Sequence, residues 1–133
     1  MLVDIIEALR REFNNAVTTF PSTNLGVEYS FTGEYKFERT KVGRGIIFRG
    51  DIGYIKGTGA GGAQFSPERQ RGENICEAVQ LRAKALSEEK CEYEKLSLSE
   101  FKIIIKSCSE EVFNKELLRI RESSSPAIEV YKF

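Results

Sequence analysis

The sequence predicts an α+β domain: an antiparallel sheet, made of a meander and a C-terminal hairpin, packed with an N-terminal helix and two later helices. Three observations carry that expectation. Apolar residues recur every three or four positions at the start of the chain, they alternate with polar ones from Val27 onward, and a strong helix start at Ser66 follows a glycine-rich stretch. With 133 residues, 41% of them hydrophobic and including nine Phe and five Tyr, the chain has enough apolar material for one core. A single domain over residues 1–133 is therefore expected, and disorder is a poor reading.

The first helix rests on Leu2, Ile5, Ile6, Leu9, Phe13 and Val17, which fall on one stripe at helical spacing. It should reach about residue 17. Thr18 to Asn24 then reads as a loop, because Pro21 interrupts helix and the polar β-branched residues disfavour it. From Val27 the period changes to two. Val27, Tyr29 and Phe31 alternate with Glu28, Ser30 and Thr32, Gly33 reads as a turn, and Tyr35 and Phe37 resume the alternation. Two further short strands are expected at Ile46 to Arg49 and Ile52 to Lys56, with Gly50-Asp51 as a tight turn between them.

Gly57 to Ala63 holds too much glycine for a helix or strand interior and reads as a loop. Ser66-Pro67-Glu68 supplies a hydroxyl for the N-cap, proline at the first helical position and an acid in the first turn. That helix should run to about Lys90, with Gly72 as its weak point. Ser97-Leu98-Ser99-Glu100 has the form of a capping box and predicts a helix over residues 98–115, against the strand-like alternation of Phe101, Ile103 and Ile105. Leu118 and Ile120, a Ser123 to Pro126 turn, and Ile128, Val130 and Phe133 suggest a closing hairpin.

Charge and composition exclude several functions. Lys+Arg and Asp+Glu both number 20, so no global field draws the chain to nucleic acid or an anionic membrane. Residues 36–71 nevertheless carry 8 basic and 3 acidic groups, a basic island that also fits a solvated sheet face. There is no histidine, and Cys76, Cys91 and Cys108 form no CxxC pair, so the usual zinc sets and imidazole chemistry are absent. Cys76 and Cys108 fit helix packing as small buried hydrophobes. Acids within the opening apolar run argue against a signal peptide or membrane span, and the cytoplasm of a cell or infected host is the expected location.

No cofactor, metal site or catalytic residue is expected. Glu34-Tyr35-Lys36 has the acid-x-lysine form of metal-dependent nuclease centres, with Asp51 as a second ligand, but the aspartate follows the element instead of preceding it. The stronger signal is Gly57-Thr58-Gly59-Ala60-Gly61-Gly62, which satisfies G-x-G-x-x-G between an expected strand and a helix start. Glycine lets several backbone N–H groups approach one anion. The preceding hairpins rule out a dinucleotide-binding βαβ unit, leaving a simpler anion nest. Glu68 opposes even that, since it already occupies the positive helix end.

Arg44, Arg49 and Lys56 before the loop and Arg69 and Arg71 after it supply cations, and Tyr54 and Phe65 supply faces for stacking. The expected site is thus Gly57, Gly59, Gly61 and Gly62 with those basic groups and Phe65. The expected function is a non-catalytic module binding a phosphate-bearing small molecule such as a nucleotide signal, in the manner of a sequestering protein of a virus or mobile element. A homo-oligomer is expected to complete the site. The alternative is a protein-interaction or inhibitor module acting on a basic protein partner, and a small nuclease comes third.

Overall fold

The computed structural model describes residues 2–19, 28–40, 43–55, 66–87, 91–108, 110–122 and 128–132. Its first element, α1 (Leu2–Thr19), buries Leu2, Ile5, Ile6, Leu9, Phe13 and Val17, the stripe that the sequence predicts, together with Val3 and Ala16. Burying a large apolar side chain contributes roughly 1.5–3 kcal/mol, which holds this helix far more firmly than its intrinsic propensity. Thr18 bends its hydroxyl back onto the Asn14 and Asn15 carbonyls at 3.1 and 2.9 Å, closing the last turn.

Two 13-residue strands follow, β1 (Glu28–Thr40) and β2 (Gly43–Ile55), antiparallel and in register from Glu28 opposite Ile55 to Thr40 opposite Gly43. The expected turns at Gly33 and at Gly50-Asp51 do not occur, and the two short strands expected around Gly50 are one. The glycines have another reason to be there. A Cβ on Gly33 would collide with the Phe48 ring, and one on Gly50 would lie 2.5 Å from the Phe101 ring. At both positions an aromatic ring occupies the space a Cβ would need, a close approach that only glycine permits within a strand.

Helix α2 (Ser66–Ser87) begins where the sequence places it and passes through Gly72 without a break. It buries Ile75, Cys76, Val79 and Ala83. The helix expected over 98–115 is absent: that stretch forms β4 (Glu100–Cys108), preceded by the short β3 (Glu92–Lys95). Cys108 therefore ends a strand, not a helix. Phe101, Ile103 and Ile105 are buried and their neighbours less so, which is the alternation of a half-buried strand. Ser97 does make the bond of a cap, accepting from the Glu100 N–H at 3.0 Å, but it closes a hairpin turn with it.

The closing hairpin is also corrected. Leu118 and Ile120 lie in α3 (Glu110–Glu122), and β5 (Ile128–Lys132) pairs with β1. The class and the plan of one N-terminal and two later helices stand, and the strand order is β3-β4-β2-β1-β5, antiparallel throughout. All three helices contribute to one core with Tyr29, Phe31, Phe48 and Phe101 of the sheet. Phe31 sits at its centre, 5.8 Å from Phe13 and stacked at 6.3 Å and 10° on Phe101 by ring centroids. Buried Glu116 of α3 accepts the Leu2 N–H at 3.2 Å, filling an otherwise unpaired donor at the start of α1. Arg119 bridges Glu116 and Asp4 at 3.6 and 2.6 Å and ties the two helices together.

Candidate functional site

Because strand side chains alternate, the residues between the core positions point to the opposite face of the sheet, where no described helix packs. Thr32, Glu34 and Lys36 of β1 and Arg49 and Asp51 of β2 are exposed there. Register orders them into rows. Glu34, Arg49, Lys102 and Glu94 stand side by side across four strands, and Thr32, Asp51 and Glu100 form the adjacent row. The Arg49 guanidinium reaches diagonally between the rows and donates to Glu100.

Between these rows lies a groove of about 230 Å³ lined by Thr32, Gly33, Glu34, Arg49, Asp51 and Glu100. Three carboxylates thus surround one guanidinium. The Asp51 carboxyl is raised above the usual aspartate range by partial burial and by the negative charge of Glu100 directly opposite, with Arg49 acting in the other direction. The Arg49 guanidinium is held more firmly protonated by its hydrogen bond to Glu100 and by that residue's charge. Among the described residues no group of three or more Cys, Asp and Glu side chains is placed to hold a metal ion. Cys76 is buried behind β2, and burial pushes its thiol up to about 12, so it carries no reactive thiolate at neutral pH.

Of the residues expected to bind phosphate, Arg44 and Arg49 lie on β2 and Arg69 and Arg71 on α2. Gly57, Gly59, Gly61, Gly62, Lys56 and Phe65 lie outside the described residues, as does the side chain of Tyr54. Arg44 pairs with Arg39 and Cys108 at the end of β2 remote from Ile55, a separation of about 37 Å along an extended strand. Arg49 is about 20 Å short of Ile55 by the same rise per residue and is engaged by Glu100. Arg69 is exposed on α2 and pairs with Glu73 at 3.4 Å, one turn on, while Arg71 is half-buried on the same helix.

Glu34, Lys36 and Asp51, singled out for acid-x-lysine chemistry, do share the open face. Glu100, Thr32 and Gly33 were not legible as partners, because only the β1–β2–β4 register brings them to the groove. Among the described residues no helix is long and apolar enough to cross a membrane.

Comparison with known proteins finds no matching family model, no matching curated protein and no matching solved structure. The fold and the groove define the class: a two-layer α+β domain, helices on one face of an antiparallel sheet and a charged groove on the other.

Proposed function

We propose that the protein is a non-catalytic binding module that takes a positively charged segment of a protein partner on the open face of its sheet. The observation that carries this reading is the lining of the groove, where Glu34, Asp51 and Glu100 outnumber the single cation Arg49. A lysine or arginine side chain entering there relieves the repulsion between Asp51 and Glu100, which face each other across β2 and β4. Such complementarity acts mainly on association rate and specificity.

Fluorescence anisotropy of a labelled lysine- and arginine-rich peptide tests the reading. Binding that weakens with added salt and is lost in the double variant Glu34→Gln, Asp51→Asn supports it. Equal binding by the variant, or no preference over an acidic control peptide, overturns it.

A phosphate-bearing small ligand such as a nucleotide is the second reading. What favours it is that β2 ends at Ile55 and α2 begins at Ser66, so the glycines from Gly57 to Gly62 lead from a strand into a helix N-terminus with Arg69 and Arg71 in its first two turns. Calorimetric titration with linear and cyclic nucleotides tests it: Gly61→Val and Arg71→Ala should each weaken any binding seen. Self-association belongs to either reading, since β3 and β5 are the two edges of the sheet.

A further inference from the structure

Among the described residues that line the groove, Arg49 alone is a cation, and its guanidinium donates to Glu100. Register offers it two carboxylates. Glu34 stands directly opposite Arg49 across the β1–β2 ladder, whereas Glu100 lies diagonally on β4, one row on, because the direct β4 neighbour of Arg49 is Lys102. The diagonal choice has an electrostatic cause. Asp51 and Glu100 are cross-strand neighbours of like charge, and a guanidinium drawn toward their row offsets that repulsion while moving away from the like charge of Lys102.

The bond is also of a kind that exchanges easily. The side chains of Arg49 and Glu100 are 54% and 32% exposed, so water competes for both groups and salt screens their attraction. Arg49 thereby fills the place beside Asp51 and Glu100 that the proposed function gives to a partner's cation. Turning back toward Glu34 needs side-chain rotation alone and leaves the ladder as it is.

We propose that Arg49 is a built-in stand-in for the partner's cation: it holds Glu100 in the free protein and swings to Glu34 when a lysine or arginine of the partner takes Asp51 and Glu100. The proposal rests on the groove reading and adds the regulation of that site. A tethered competitor lowers the affinity of every basic segment, and it yields most readily to a cation that reaches Asp51 and Glu100 together.

Two variants separate displacement from general attraction, because Arg49→Gln and Lys102→Gln each remove one positive charge from the same row and only Arg49 lines the groove. With the labelled lysine- and arginine-rich peptide in anisotropy, Arg49→Gln should bind about tenfold tighter than wild type, and Lys102→Gln within about threefold of it. Circular dichroism checks that both fold. In wild type the ¹⁵Nε signal of Arg49 should move on adding the peptide, in the direction it takes in Glu100→Gln without peptide. Equal gains in the two variants, weaker binding by Arg49→Gln, or an Arg49 signal that stays in place while the peptide binds refutes the stand-in and leaves the groove reading standing. If neither wild type nor Arg49→Gln binds the peptide, both fail.

Discussion

Gly33 and Gly50 stand directly opposite each other in the β1–β2 ladder, and each has an aromatic ring against its bare backbone: Phe48 on Gly33 and Phe101 on Gly50. The pair makes a hollow in the sheet into which the centre of the core settles. A side chain at Gly50 forces Phe101 out of its stack with Phe31. Gly50→Val is expected to cost about 1–3 kcal/mol, the range for overpacking a filled core. In thermal denaturation that is a fall of several degrees, and an unchanged midpoint contradicts the account of these glycines.

Gln80 is the second structural test. Replacing it with Met keeps the volume but leaves the Ser97 and Leu98 carbonyls and the Tyr93 hydroxyl without their partner. The expected loss is about 1–3 kcal/mol in urea denaturation, with faster hydrogen exchange confined to the 96–100 turn. Tyr93→Phe removes only one bond and should cost less. Equal losses, or protection unchanged at the turn, contradict the account in which Gln80 holds the Ser97 and Leu98 carbonyls through Nε2 and accepts the Tyr93 hydroxyl through Oε1.

The acid pair predicts a pH dependence with a definite sign. Asp51 has a folded-state pKa raised above its unfolded value, chiefly by burial and then by Glu100, so its ionisation weakens the fold as pH rises through and above 3.8. Asp51→Asn removes that cost. It should stabilise the fold at pH 7 by about 0.5 kcal/mol, the scale of a cross-strand charge contact, and the gain should vanish below pH 3.8 where the wild-type carboxyl is protonated in both states. A variant less stable than wild type at pH 7 contradicts the assignment.

Self-association is read by light scattering. A symmetric oligomer built on the β3 or β5 edge has a mass that is a multiple of 15.1 kDa at concentrations well above micromolar. A mass of one chain removes it from the account.

What the sequence revealed depended on the range of the interactions. Helix α1 was legible because Leu2 to Val17 repeat at a period that needs no partner to recognise, and α2 because Ser66-Pro67 announces it locally. The stretch 98–115 misled for the same reason. Ser97 and Glu100 give the local signal of a helix cap, and the signal is real as a hydrogen bond, but Phe101 and Ile103 are drawn extended by Gly50 and Phe48 of a strand far away in sequence. Gly33 and Gly50 resembled turns because the rings that need them are distant. Arg49, Glu34 and Asp51 were visible as individual residues. Their common groove with Glu100 was not, because cross-strand register is a property of the folded sheet.

The most direct measurement is a ¹⁵N-resolved NMR titration of the protein with the lysine- and arginine-rich peptide. The account predicts amide shifts at Thr32, Gly33, Glu34, Asp51 and Glu100 that reverse on adding salt. Shifts absent from these five residues, or a response confined to Gly57 to Gly62 and produced by a nucleotide, would contradict a binding surface on the open face of the sheet.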